Sequence, residues 1–119
     1  MESEGLVSVA KLLLPEVLVE YFELTEHQIV GEELHFHFRE KNVVPSGFSG
    51  EKLSSKGFFD TAKVQDFPIR GKHVYLYITR RRWLNESSGK VVSRNWDLVA
   101  KGTRMTNDFA TFLKEISRY

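Results

Sequence analysis

The chain has 119 residues, 41% of them hydrophobic and 28% charged, with no cysteine and a net charge of +1. That length and composition fit one folded domain, here residues 1–119, and not a disordered chain. Disulfides and thiolate metal sites are excluded, no apolar run reaches the ~20 residues of a membrane span, and the acidic opening Met1-Glu2-Ser3-Glu4 lacks the positive charge of a secretory signal, so the cytoplasm is the expected compartment.

In chain order, the first expected element is an amphipathic helix from Leu12 to Leu24. Pro15 sits in its first turn, Leu14, Val17, Leu18, Tyr21 and Phe22 recur at helical spacing, and Glu16, Glu20 and Glu23 lie on the polar side. Gln28 to Val30 and Leu34 to Arg39 read as strands joined at Gly31-Glu32-Glu33. In the second, Leu34, Phe36 and Phe38 alternate with His35 and His37. Residues 42–50 contain Pro45, Gly47 and Gly50 and read as a loop.

Leu53 to Val64 reads as an extended pair bent at Gly57, and Phe67 to Lys72 as a turn. His73 to Trp83 is the clearest strand, with Val74, Leu76 and Ile78 on one face and Tyr75, Tyr77 and Thr79 on the other. Glu86 to Lys90 is a hairpin loop into an extended Val91 to Trp96. Thr106 to Tyr119 closes as a helix, capped by Thr106 or Asn107 and striped by Phe109, Phe112, Leu113 and Ile116. The expected class is α+β: an N-terminal helix and β-hairpin, a small antiparallel sheet, and a C-terminal helix.

The charge is divided along the chain. Residues 1–50 hold nine acids against three bases (−6), and the rest hold fourteen bases against seven acids (+7). This suggests an acidic helix–hairpin subregion over 1–45 and a basic sheet-plus-helix subregion over 46–119. Such a division indicates either a nucleic-acid surface on the basic part or two halves that neutralise each other in the fold.

The densest positive feature is Arg80-Arg81-Arg82, reinforced by Lys72, Arg94, Lys101 and Arg104, with Tyr75, Tyr77 and Trp96 nearby in sequence. Guanidinium groups form paired hydrogen bonds to phosphates and guanine edges, and aromatic rings between them suit base or sugar contact. Strand alternation puts Arg81 on the Tyr75/Tyr77 face and Arg80 and Arg82 in the Val74/Leu76/Ile78 row. The expectation is that the three arginines lie past the packed part of the strand, in solvent or against a partner. The competing reading is a solvated sheet face paired with acids.

From Ser54 to Tyr119 the sequence resembles the N-terminal region of transposases of the ISL group of insertion sequences. The resemblance is carried by Gly57-Phe58-Phe59, then Asp66-Phe67-Pro68-Ile69-Arg70-Gly71, then an alternating strand ending in Arg80-Arg81-Arg82-Trp83, then "LVAKGTRMT" and a helix. The opening "LLLPEVLVEYFEL" extends the likeness to the short, separate N-terminal protein of the ISAon branch. The resemblance implies a non-catalytic module that recognises transposon-end DNA, with the catalytic transposase chain as a second partner. It also implies an alternative, a protein-interaction or regulatory subunit that docks onto that chain through its acidic half.

The wider group carries a zinc finger whose cysteine pairs flank this pattern, and those cysteines are absent here. The implied fold is thus a zinc-ribbon-like sheet without metal, its core supplied by Phe58, Phe59, Phe67, Trp83 and Trp96. His35 and His37 share a strand face, but neither His27 nor His73 lies close by as a third ligand. Asp60, Asp66, Asp97 and Asp108 are isolated, and no nucleophile elbow, phosphate loop or dinucleotide turn occurs, so no catalytic site, cofactor or small-molecule substrate is expected.

Overall fold

The computed structural model describes residues 16–45, 47–48, 50–96 and 111. These residues form one short helix, α1 (Glu16–Tyr21), and seven strands: β1 (Phe22–Val30), β2 (Glu33–Glu40), β3 (Leu53–Phe58), β4 (Ala62–Ile69), β5 (Lys72–Thr79), β6 (Arg81–Asn85) and β7 (Lys90–Val92). The α+β expectation is corrected: the described residues are mainly β, with no helix of seven residues or more among them. Apart from Thr111, which is helical, the helix expected over 106–119 lies outside the described residues, as does the start of the first expected helix.

The N-terminal helix ends earlier than its periodicity predicts, at Tyr21 instead of Leu24, because its apolar residues satisfy two periods at once. Leu18 and Phe22 are one helical turn apart, while Phe22 and Leu24 alternate with Glu23. Pairing decides between them. Phe22, Glu23 and Leu24 align with Glu40, Arg39 and Phe38 of β2, and a bulge at Thr25 precedes the rest of the ladder.

Two sheets result. The larger has the order β1-β2-β5-β4, the smaller β3-β6-β7. β1–β2 and β4–β5 are hairpins with two-residue turns, and their second strands run side by side in parallel from Glu33↔His73 to Arg39↔Thr79. The larger sheet is therefore mixed, which corrects the antiparallel expectation, and it weaves residues from both charge subregions into one layer. Gly31 at +57° and the Arg70-Gly71 pair at 50° and 76° supply the positive φ angles that tight hairpin turns need.

Residues 73–83, expected as one strand, divide between the sheets. β5 ends at Thr79 and β6 begins at Arg81. β2 ends at Glu40, and there its carboxylate accepts the Arg81 backbone N–H at 2.9 Å in place of a main-chain carbonyl. The Arg80 carbonyl in turn accepts the Phe59 N–H at 2.9 Å, tying the start of β6 to the end of β3.

The core lies on one face of the larger sheet: Phe36 and Phe38 of β2, Val74, Leu76 and Ile78 of β5, and Val64 of β4, closed over by Leu18, Phe22 and Trp96. Trp96 stacks on Phe22 with centroids 5.2 Å apart and meets Tyr21 edge-on. Of the aromatics expected to replace zinc, Trp83 and Trp96 are buried, Phe58 and Phe59 are half-buried, and Phe67 is 46% exposed. On the opposite face, His37 stacks on Tyr77 at 4.4 Å, His35 on Tyr75 at 5.3 Å, and Lys63 Nζ lies 4.5 Å above the Tyr75 ring.

Candidate nucleic-acid interface

The break between β5 and β6 concentrates positive charge. β3 carries a bulge between Ser55 and Phe58, and Gly57 adopts φ 93° there. A Cβ on Gly57 would stand 3.7 Å from Arg82 Nη2, so the backbone passes directly beneath that guanidinium. The bulge delivers two consecutive phenyl rings to the arginines. Phe58 has Arg81 at 4.7 Å and Arg39 at 5.9 Å from its centroid; Phe59 has Arg80 at 4.1 Å and Arg82 at 5.6 Å. Four guanidinium groups thus flank two rings, in the range of cation–π attraction.

These arginines have different tasks. Arg80 is buried, in the row of Val74, Leu76 and Ile78 as strand alternation requires. The expectation that all three arginines lie beyond the packed region is corrected for this residue, because the chain turns into the second sheet at Arg80 instead of leaving the fold. Arg81 is half-buried. Its Nε donates to the Glu40 carbonyl at 3.2 Å and its Nη1 to Ser55 Oγ at 2.5 Å, which holds the guanidinium flat on Phe58. Arg82 is also half-buried, and its Nε is a buried donor without a hydrogen-bond acceptor.

Arg94 belongs to the interior. Its Nε donates to Glu40 Oε2 at 2.9 Å, with side chains only 6% and 0% exposed, and its Nη2 donates to the Val43 carbonyl. Tyr21, Trp83 and Trp96 surround its guanidinium at 4.6 to 5.8 Å. Burial pushes the Glu40 carboxyl above its ordinary pKa, against the opposing pull of the Arg81 N–H, Arg94 and Arg80. Part of the charge division therefore cancels inside the fold, between Glu40 of the acidic half and arginines of the basic half.

The expected site residues separate accordingly. Arg80, Arg81 and Arg82 come together, and Arg81 and Arg82 retain partial exposure. Arg94 joins them only through Glu40, on the inner side. Lys72 stands at the opposite end of β5, about 26 Å of extended strand from Arg80. Lys101 and Arg104 lie outside the described residues. Arg39 was not anticipated: it is exposed, reaches Phe58, and pairs with Glu23 at 3.6 Å. Its position on the His35/His37 face of β2 was readable, but its approach to Phe58 depends on β2 lying beside β5.

Asp66 is buried on β4, where burial raises its carboxyl pKa against the opposing Phe67 N–H. Among the described residues, no three metal-ligating side chains cluster, and no helix is long and apolar enough to cross a membrane. No protein-family model, curated protein or solved structure matches the chain.

Proposed function

We propose that this chain is a non-catalytic DNA-binding module, the N-terminal region of an insertion-sequence transposase, and that it engages transposon-end DNA through Arg81, Arg82 and Arg39. The observation that carries the reading is the pair of phenyl rings, Phe58 and Phe59, that hold half-exposed guanidinium groups at one edge of the molecule. Arginines ordered before binding lose less side-chain freedom when they meet phosphates. Lys56, exposed on the same strand as Phe58, adds charge, and the resemblance of Ser54 to Tyr119 to transposase N-terminal regions points to the same partner.

Phosphate contact makes affinity fall steeply with salt, because each neutralised phosphate releases counterions. Titration of the protein with the element's terminal repeats and with random duplex, across a salt series, tests this. Arg81→Ala with Arg82→Ala is expected to weaken both and to flatten the salt slope by about 0.9 per lost phosphate contact. Absence of binding to either duplex at low salt overturns the reading.

One observation favours docking onto the catalytic transposase chain as a second reading. The outer strand β1 exposes Glu23 and Glu26, and Glu32 and Glu33 follow at its turn, so one sheet edge is acidic. Complementary charge speeds and orients association. Glu26→Lys with Glu32→Lys, two exposed positions away from the Arg39–Glu23 pair, should then impair capture of the catalytic chain while sparing DNA affinity, and the arginine variants should do the reverse.

A further inference from the structure

Beside the arginine cluster the second sheet carries a half-open cleft of about 430 Å3, lined by Phe48, Phe59, Val91, Val92 and Ser93. Its size is that of a small-ligand site, for which the usual range is about 300–1,000 Å3. Two features separate it from a surface dent. Its walls are mostly apolar, yet Val91 remains 50% exposed within them. One wall is Phe59, the ring that Arg80 and Arg82 flank.

Arg82 stands beside the cleft, 5.6 Å from the centre of its Phe59 wall. Trp83 pairs with Val92 and Leu84 with Val91, so the next step along β6 sets Arg82 level with Ser93. Alternation places Arg82 on the same sheet face as Leu84 and Val91. The Arg82 Nε, buried and lacking an acceptor, is a donor that the fold itself leaves unused. A buried donor of this kind is costly without a partner and marks a place where an incoming acceptor is favoured.

An apolar cleft with an aromatic wall and a guanidinium against that wall matches one nucleotide: the base enters the cleft against Phe59 while its phosphate meets Arg82. A paired base cannot enter, because its faces are covered by its neighbours in the stack. We infer that this cleft receives an unpaired nucleobase of the bound DNA, an inference that rests on the DNA-binding role proposed for the adjoining arginines. The protein then prefers DNA with an extruded or frayed nucleotide to continuous duplex.

The experiment uses the full chain and three forms of one terminal-repeat duplex: blunt, with a single-base bulge, and with the bulged base replaced by 2-aminopurine. Stacking of one base on an aromatic side chain predicts about 10-fold tighter binding of the bulged form than of the blunt one. Enclosure of the probe against Phe59 predicts a drop in its emission on binding. Val91→Trp, which fills the cleft from an exposed edge position, should bring the affinity ratio to one and abolish the emission change. Phe48→Ala, at a loop position, should diminish both by removing a wall and serves if the bulkier variant fails to fold. Equal affinity for blunt and bulged DNA, with unchanged emission, overturns the cleft assignment and leaves the duplex-binding role standing. A preference that survives both variants also overturns it. Loss of binding to all three DNAs refutes the duplex-binding role and this inference together.

Discussion

Arg94 and Glu40 meet at 2.9 Å with almost no exposed surface, whereas Arg39 and Glu23 meet at 3.6 Å with side chains 50% and 59% exposed. Both are arginine–glutamate pairs, and both border the same arginine cluster. Their surroundings give them opposite roles. The inner pair is enclosed by Tyr21, Trp83 and Trp96, where the absence of either partner would strand a charge away from water. The outer pair is screened by solvent and is worth little to stability, so its arginine can exchange one acidic partner for a phosphate. In this chain, surroundings and not residue type separate the arginines that build the fold from those proposed to bind DNA.

The largest effect that would break this distinction is at Glu40. Glu40→Ala leaves Arg94 buried without its partner and is expected to cost about 3–5 kcal/mol in a urea unfolding experiment. That is a large share of a typical domain's stability of about 5–15 kcal/mol. Replacing both members, Glu40→Gln with Arg94→Met, which keeps an acceptor for the Arg81 N–H, should recover much of the loss. A cost under about 1 kcal/mol for the single change would place the pair among surface pairs.

Next in size is Arg70→Asn. Arg70 holds φ 50° beside Gly71, a conformation that costs a residue with an ordinary side chain about 1–2 kcal/mol and that Asn tolerates. The variant should stabilise the fold by about 1 kcal/mol. Because the turn stands at the far end of β5 from Arg80, it should leave DNA affinity unchanged. A marked fall in affinity would extend the interface along the whole sheet. Arg39→Ala tests the other side of the comparison: stability should change by less than about 1 kcal/mol while affinity for duplex DNA falls and the salt slope flattens.

The smallest expected effect is one of pH. The Asp66 carboxyl has a raised pKa in the fold through burial. Protonation is therefore easier in the folded than in the unfolded chain, and the associated stability is present below the unfolded pKa and lost as pH rises through the folded one. Asp66→Asn, which mimics the neutral carboxyl, should flatten that part of the curve in thermal unfolding followed from acidic to neutral pH. An unaltered curve would show that Asp66 is not the group responsible. Glu40 contributes with the same sign.

Local pattern made several of these features legible. Alternation marked Phe36 and Phe38, and Val74, Leu76 and Ile78, as inward-facing, and it assigned Arg80 to that same row. The expectation that the arginines stay outside failed at Arg80 because it set a general preference for exposed charge above the phase of the strand. Strand partners were not legible. The apposition of β2 and β5 depends on residues forty apart, and neither carries a local mark of the other. The helix–strand boundary at Tyr21 was hidden for a related reason, since Leu18, Phe22 and Leu24 suit either geometry until β2 is present to choose. In the candidate site, the arginine run was plain, but Glu40 as its organiser and Arg39 as its neighbour emerge only from the sheet order.

That apposition also sets how the molecule assembles in time. Each hairpin closes through a two-residue turn and can form within about 1–10 μs. The parallel seam, by contrast, joins Glu33 to His73 and Arg39 to Thr79, and it must await closure of a long intervening loop. The hairpins are therefore early, separate units, and the seam between them is the slow event that completes the larger sheet. Until it forms, one long edge of β2 and one of β5 lie open, β2 alternating Leu34, Phe36 and Phe38 with histidines and β5 alternating aliphatic residues with tyrosines. The chain's vulnerability to misassociation is thus greatest during synthesis and refolding, and it declines once the two ribbons have zipped together.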